Sequence, residues 1–135
     1  MEDLACHLLA MNLFAHRAHH DVIGPGFFSD HSKFGDFYEA YDDAYDSVVE
    51  RIKGLGGNPD LAKLAVTAAQ EAAKYAPRTA SARVLWEQMV KCEKELRQMC
   101  ESCMKSASEG TKNLLAQLAD DSEQRCFLVK GRLAV

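Results

Sequence analysis

Apolar residues recur at steps of four and three in four separate stretches of the chain. Leu4, Leu8, Met11, Ala15, Ala18 and Val22 form the first series. Phe34, Tyr38, Tyr41, Tyr45, Val48, Ile52 and Leu55 form the second. The third runs through Leu85, Met89, Cys92, Leu96, Met99 and Cys103. The fourth, less regular, runs through Leu115, Leu118, Ser122, Cys126, Val129 and Leu133. Steps of four and three track the helical turn, so each series predicts a helix with one buried stripe. Four such stripes predict an antiparallel bundle.

The breaks between the series agree. "GPGFF" (Gly24 to Phe28) joins the first two helices, and Ser29 or Asp30 is placed to cap the second. "GLGGNP" closes the second helix, with Gly56 and Gly57 at its C-terminal end and Pro59 just beyond. The alanine-rich residues 60–75 predict a short extra helix within a long crossover. "PRTAS" opens the third helix, and "SASEGT" separates it from the fourth. The expected fold is all-α: a single domain over residues 1–135, in which a four-helix bundle has one long crossover, similar to the ferritin-like connection.

Composition narrows the function classes. At 135 residues, 47% of them hydrophobic and only three proline, the chain can bury an ordinary core. A net charge of −4 argues against nucleic acid as a partner, because phosphate binding needs clustered Lys and Arg. Five cysteines, an odd number at irregular spacing, read as reduced thiols and a cytoplasmic setting. The opening "MEDLACHLLAMNLF" is acidic and broken by His7 and Asn12, which predicts neither a signal peptide nor a membrane span.

The chemistry concentrates between His16 and Gly57. Four of the five histidines fall at positions 16, 19, 20 and 31. Asn12, His16 and His19 lie just beside the first stripe, and Asp42 and Asp46 hold the same kind of edge on the second helix. Asp46 and Glu50 are four residues apart, so their carboxylates project from one face and suit a cation. The alternative is a solvated acidic face. His19 ends the first helix and His31 begins the second, so antiparallel packing brings them together. Asp46 lies roughly 22 Å further along the same helix at 1.5 Å per residue, whereas ligands must lie about 2 Å from a metal ion. One chain therefore cannot bind one ion with both halves. A two-fold axis beside the second helix would bring Asp46 and Glu50 of the partner subunit to His19 and His31. An ordinary di-iron core is not expected, since no histidine has Glu three residues before it.

The run His19-(x11)-His31-(x14)-Asp46-(x3)-Glu50, with "GPGFF" and "ERIKGLGG", resembles the Dps mini-ferritins, the DNA-protection-during-starvation family. The resemblance continues more weakly through "VLWEQMVKCEKEL" and "GTKNLLAQLADDSEQRCFLVKGRL". It implies iron ligands at His19, His31, Asp46 and Glu50, a site between subunits, and a homo-oligomeric dodecameric shell. It also implies a ferroxidase that oxidises Fe²⁺ with hydrogen peroxide or dioxygen and stores ferric mineral against oxidative stress. Many relatives have aspartate where this chain has Gly35, which leaves Asp36 as a further candidate ligand. Relatives commonly have tryptophan where His20 stands, and some have a lysine-rich arm that is missing before the first helix. DNA binding is accordingly expected to be weak or absent.

Other features carry structural readings beside functional ones. His16 and His20 are spaced for a second metal pair, or for an exposed edge that tunes the first. Cys100-x-x-Cys103 invites a redox or zinc role, but no second pair completes a tetrahedral set, and core packing is the competing account. Trp86 reads as packing, and Asp120-Asp121 as an ion entry or a solvated face. The rival to the ferroxidase is a ferritin-fold structural or interaction protein of weak activity; a DNA-binding Dps is the third reading.

Overall fold

The computed structural model describes residues 1–134, so Val135, the last residue of the expected domain, lies outside the described residues. Five helices follow in order: α1 (Glu2–Asp21), α2 (Phe27–Gly54), α3 (Leu61–Ala73), α4 (Ala82–Met104) and α5 (Glu109–Leu133). Short connections make α1–α2 and α4–α5 antiparallel hairpins. The crossover between them carries α3, which rests on α1 through Ala68, Ala72 and Ala10.

The stripes face the common core. Leu4, Leu8, Met11, Ala15, Ala18 and Val22 are all buried, joined by Phe14. On α2 the buried set is Phe34, Phe37, Tyr41, Val48, Val49 and Ile52, while Tyr38 and Tyr45 are half-buried and Leu55 lies past the helix end. On α4 the stripe drifts. It enters at Leu85 and Met89 but leaves at Cys100, with Met99 and Cys103 only half-buried. A 3.6-residue helix rotates slowly against a strict four-three repeat, so the buried face moves from Cys103 to Cys100.

The ends of α2 are built differently from one another. Its C-terminus is a Schellman closure: Gly57 N–H donates to the Ile52 carbonyl at 2.9 Å and Gly56 N–H to Lys53 at 3.0 Å. Gly56 takes φ 93°, where a side chain would be strained. The N-terminus is capped by neither Ser29 nor Asp30. The helix starts earlier, after Gly26 and with no side-chain cap. Asp30 instead turns inward, because it has better partners there than the helix end offers. Its carboxylate accepts from Trp86 Nε1 at 2.9 Å and from Arg132 Nε and Nη2 at 2.9 and 3.0 Å.

Two further contacts join the hairpins and fix the position of α2. The Trp86 indole lies flat on Phe34, with ring centroids 3.6 Å apart. Midway along the bundle, the fully buried Glu93 accepts from Arg125 Nε at 2.6 Å, from Ser122 Oγ at 2.5 Å and from the Tyr41 hydroxyl. Burial, followed by the Glu93 charge, drives the Tyr41 phenol far above its ordinary range. Among the described residues no helix is long and apolar enough to cross a membrane.

Candidate metal centre

His19 sits in the last turn of α1 and His31 in the second turn of α2, across the tight Val22–Gly26 connection. Each ring bonds the other's backbone. His19 Nδ1–H donates to the His31 carbonyl at 2.5 Å, and His31 Nδ1–H donates to the His19 carbonyl at 2.6 Å. The rings stack 3.7 Å apart and 18° from parallel. A carbonyl can only accept, so both imidazoles carry their proton on Nδ1. That leaves both Nε2 atoms outside the pairing, the arrangement by which a metal-binding histidine is oriented through its other nitrogen. The His19 carbonyl belongs to the last turn of α1, where no intrahelical donor is available, so the pairing also satisfies a helix end.

An aromatic surround holds the pair. Phe27 stacks on His31 at 5.1 Å, and His20 meets His19 edge-on at 5.1 Å. Tyr38 approaches His19 at 5.5 Å and stacks with His16 at 4.3 Å. Asn12 Nδ2 donates to the Tyr38 carbonyl at 2.7 Å, which ties α1 to α2 beside the site. Gly35 faces His19 directly: a Cβ there would lie 3.1 Å from the ring's Cε1 and 3.2 Å from Nδ1.

The carboxylates lie elsewhere. Asp46 and Glu50 are exposed on α2, one turn apart. Since α2 is unbroken from Phe27 to Gly54, the roughly 22 Å rise between His31 and Asp46 stands. Burial and then the charges of Asp42 and Asp46 push the half-buried Tyr45 phenol above its ordinary value. Asp36 is exposed and its carboxylate meets Lys33 Nζ at 3.2 Å. It projects about 100° around the helix from Gly35, the residue that faces His19. Among the described residues, no group of three or more His, Cys, Asp or Glu within one chain could hold a metal ion. One chain thus presents two separated groups, a pair of imidazoles and a pair of carboxylates.

The remaining candidates divide clearly. His16 and His20 are exposed neighbours 5.0 Å apart, and His16 lines a surface cleft with Asn12, Tyr38, Glu39, Asp42 and Asp43. Cys100 is fully buried, and burial pushes its thiol up to about 12, which disfavours the free thiolate that thiol redox chemistry uses. Asp120 is exposed and accepts from Gln124. Sequence reasoning missed the Tyr38–Asn12 support and the close approach of His19 to Gly35. Both depend on how closely α1 and α2 approach, for which the residue pattern holds no signal.

Comparison with known proteins places the fold. The profile of the ferritin-like domain family matches residues 2–126. The chain belongs to the ferritin-like family. Within it, the fold is that of the Dps mini-ferritins. The structure of Dps from Staphylococcus aureus superposes with a TM-score of 0.85 at 20% identity, over 99% of this chain and 95% of that one. A point mutant of Dps1 from Mycobacterium smegmatis gives 0.75 at 18% identity, over 98% and 94%. DNA protection during starvation protein 2 of Bacillus anthracis is 27% identical over 121 residues, covering 87% of this chain and 83% of that protein.

Proposed function

We propose that this protein is an iron-binding ferroxidase and iron store that works in the cytoplasm as a homo-oligomer of two-fold pairs. The observation that carries the reading is the locked histidine pair. Both Nδ1 protons are committed to carbonyls and neither Nε2 takes part in the pairing, while Asp46 and Glu50 stand exposed about 22 and 28 Å further along α2. In an antiparallel pairing of α2 with its copy, the partner subunit's Asp46 and Glu50 meet His19 and His31. Two-fold symmetry then makes two such sites per pair. Asp36, turned to Lys33, stays outside the set.

Imidazole nitrogen and carboxylate oxygen together suit iron as substrate in both oxidation states. The anionic charge of Asp46 and Glu50 favours the ferric product. Two Fe²⁺ and one hydrogen peroxide, with two protons, give two Fe³⁺ and two water molecules. Both electrons leave together, so no hydroxyl radical is released. Dioxygen can serve as the alternative oxidant, taking four electrons from four Fe²⁺. Ferric product mineralises inside the closed shell, a dodecamer by likeness to the Dps fold. Protection in this reading comes from removing iron and peroxide. The net charge of −4 gives no electrostatic reason for DNA binding.

The test is anaerobic loading with Fe²⁺ followed by sub-stoichiometric peroxide. Ferric absorbance should rise quickly, with about two iron ions oxidised per peroxide. Oxidation no faster than that of free Fe²⁺ would contradict the reading.

A further inference from the structure

We infer that His16 and His20 form a second metal site, a di-imidazole clamp for a late first-row divalent ion such as Zn²⁺. Residues four apart on a helix stand one above the other, with Cβ atoms about 5–6 Å apart. On α1 that spacing sets the two ring centroids 5.0 Å apart and 32° from parallel. A zinc ion bound tetrahedrally at about 2.1 Å holds neighbouring ligand nitrogens roughly 3.4 Å apart. Each ring nitrogen lies a little over an ångström from its centroid, so one nitrogen of each ring reaches that separation through small side-chain turns. Both residues are exposed, which gives an ion access.

These are the chain's uncommitted imidazoles. His7 bonds the Cys92 carbonyl at 2.9 Å, and His19 and His31 bond each other's carbonyls. Among the described residues, no ring nitrogen of His16 or His20 takes part in a hydrogen bond. Packing places them instead. His16 stacks on Tyr38 at 4.3 Å, beside the Asn12 bond to the Tyr38 carbonyl, and His20 stands edge-on to His19 at 5.1 Å. Ring faces supply the support, and ring nitrogens remain for a ligand. The surrounding charge favours a cation. Glu39, Asp42 and Asp43 line the cleft that His16 enters. Arg17, next to His16 in sequence, turns away, bonding the Ala76 carbonyl and lying over the Phe14 ring at 5.2 Å.

Ligand chemistry separates this clamp from the iron centre. Imidazole suits Zn²⁺, Cu²⁺ and Ni²⁺, and a nitrogen site binds each of them more tightly than Fe²⁺. Water completes the shell, as at zinc sites that keep an open position. The clamp lies within one chain, so it does not depend on the shared iron centre.

The test is Zn²⁺ binding to the assembled protein, followed by calorimetry and by anomalous diffraction from crystals grown with Zn²⁺. Glu50→Ala is the background, because it disables the proposed iron site and leaves α1 unchanged. In that background one Zn²⁺ should bind per chain, with an anomalous peak about 2.1 Å from a nitrogen of each of His16 and His20. Adding His20→Ala should weaken binding at least about tenfold, since even outer-shell losses at metal sites cost about 10- to 100-fold. Adding His16→Phe keeps a ring against Tyr38 and should weaken binding as much. Zn²⁺ held at full affinity after either substitution, or a peak on His19 and His31 alone, would overturn the clamp. A peak between His16 and His20 beside iron oxidation that Glu50→Ala leaves at the wild-type rate would uphold the clamp and overturn the shared iron site instead.

Discussion

Arg132, near the end of α5, grips Asp30 at the start of α2 through two parallel hydrogen bonds of 2.9 and 3.0 Å. Burial alone would raise the Asp30 carboxyl. The hydrogen bonds from Arg132 and Trp86, with the Arg132 charge, outweigh it and hold the carboxyl below its ordinary value. A carboxyl lowered on folding contributes stability above its unfolded pKa of about 3.9, and that contribution fades as pH falls through the lower folded value. Asp30→Asn should therefore cost about 1 kcal/mol near neutral pH, modest because Arg132 is partly solvated. The gap between wild-type and variant melting temperatures should close below about pH 4. A gap that widens in acid would show that Asp30 is not held as a charged partner.

The Glu93 network makes a larger prediction. Removing Glu93 leaves Arg125, Ser122 and Tyr41 without their common acceptor in the bundle centre. Glu93→Ala should cost about 3–5 kcal/mol, measured by urea unfolding of the assembled protein. A loss under about 1 kcal/mol would mean that water enters to replace the carboxylate.

Much of the fold was legible because its signals are local. Leu85, Met89, Cys92 and Leu96 announce their helix within a few turns, and Gly56 and Gly57 announce the end of α2. The histidine pairing was legible for the same reason, since His19 and His31 flank one short connection. Asp30 reads as one of two candidate caps in the sequence because its partner Arg132 lies 102 residues away. Glu93 sits in "KCEKEL" and looks like a surface acid, because Arg125 lies 32 residues further on in another helix. Gly35 showed only an absent side chain; the ring that fills the space comes from α1. What the sequence hid in each case was a contact between elements distant along the chain.

The charge balance supplies a further check. With a net charge of −4, affinity for duplex DNA near 0.15 M salt should be weak and non-specific. Gel retardation that survives higher salt would reveal a basic surface created by assembly.

The shared site is tested most directly by complementation. His31→Ala and Glu50→Ala should each abolish rapid iron oxidation and leave the bundle folded, since neither side chain is part of the core. The two inactive proteins are then dissociated, mixed and reassembled. In a mixed pair, one interface site unites both damaged halves, while the other takes intact His19 and His31 from one chain and intact Asp46 and Glu50 from the other. About half the pairs are mixed under random association, each with one good site, so about a quarter of wild-type activity should return. A site contained within a single chain would recover nothing, and no recovery from verified mixed assemblies would contradict the intersubunit centre.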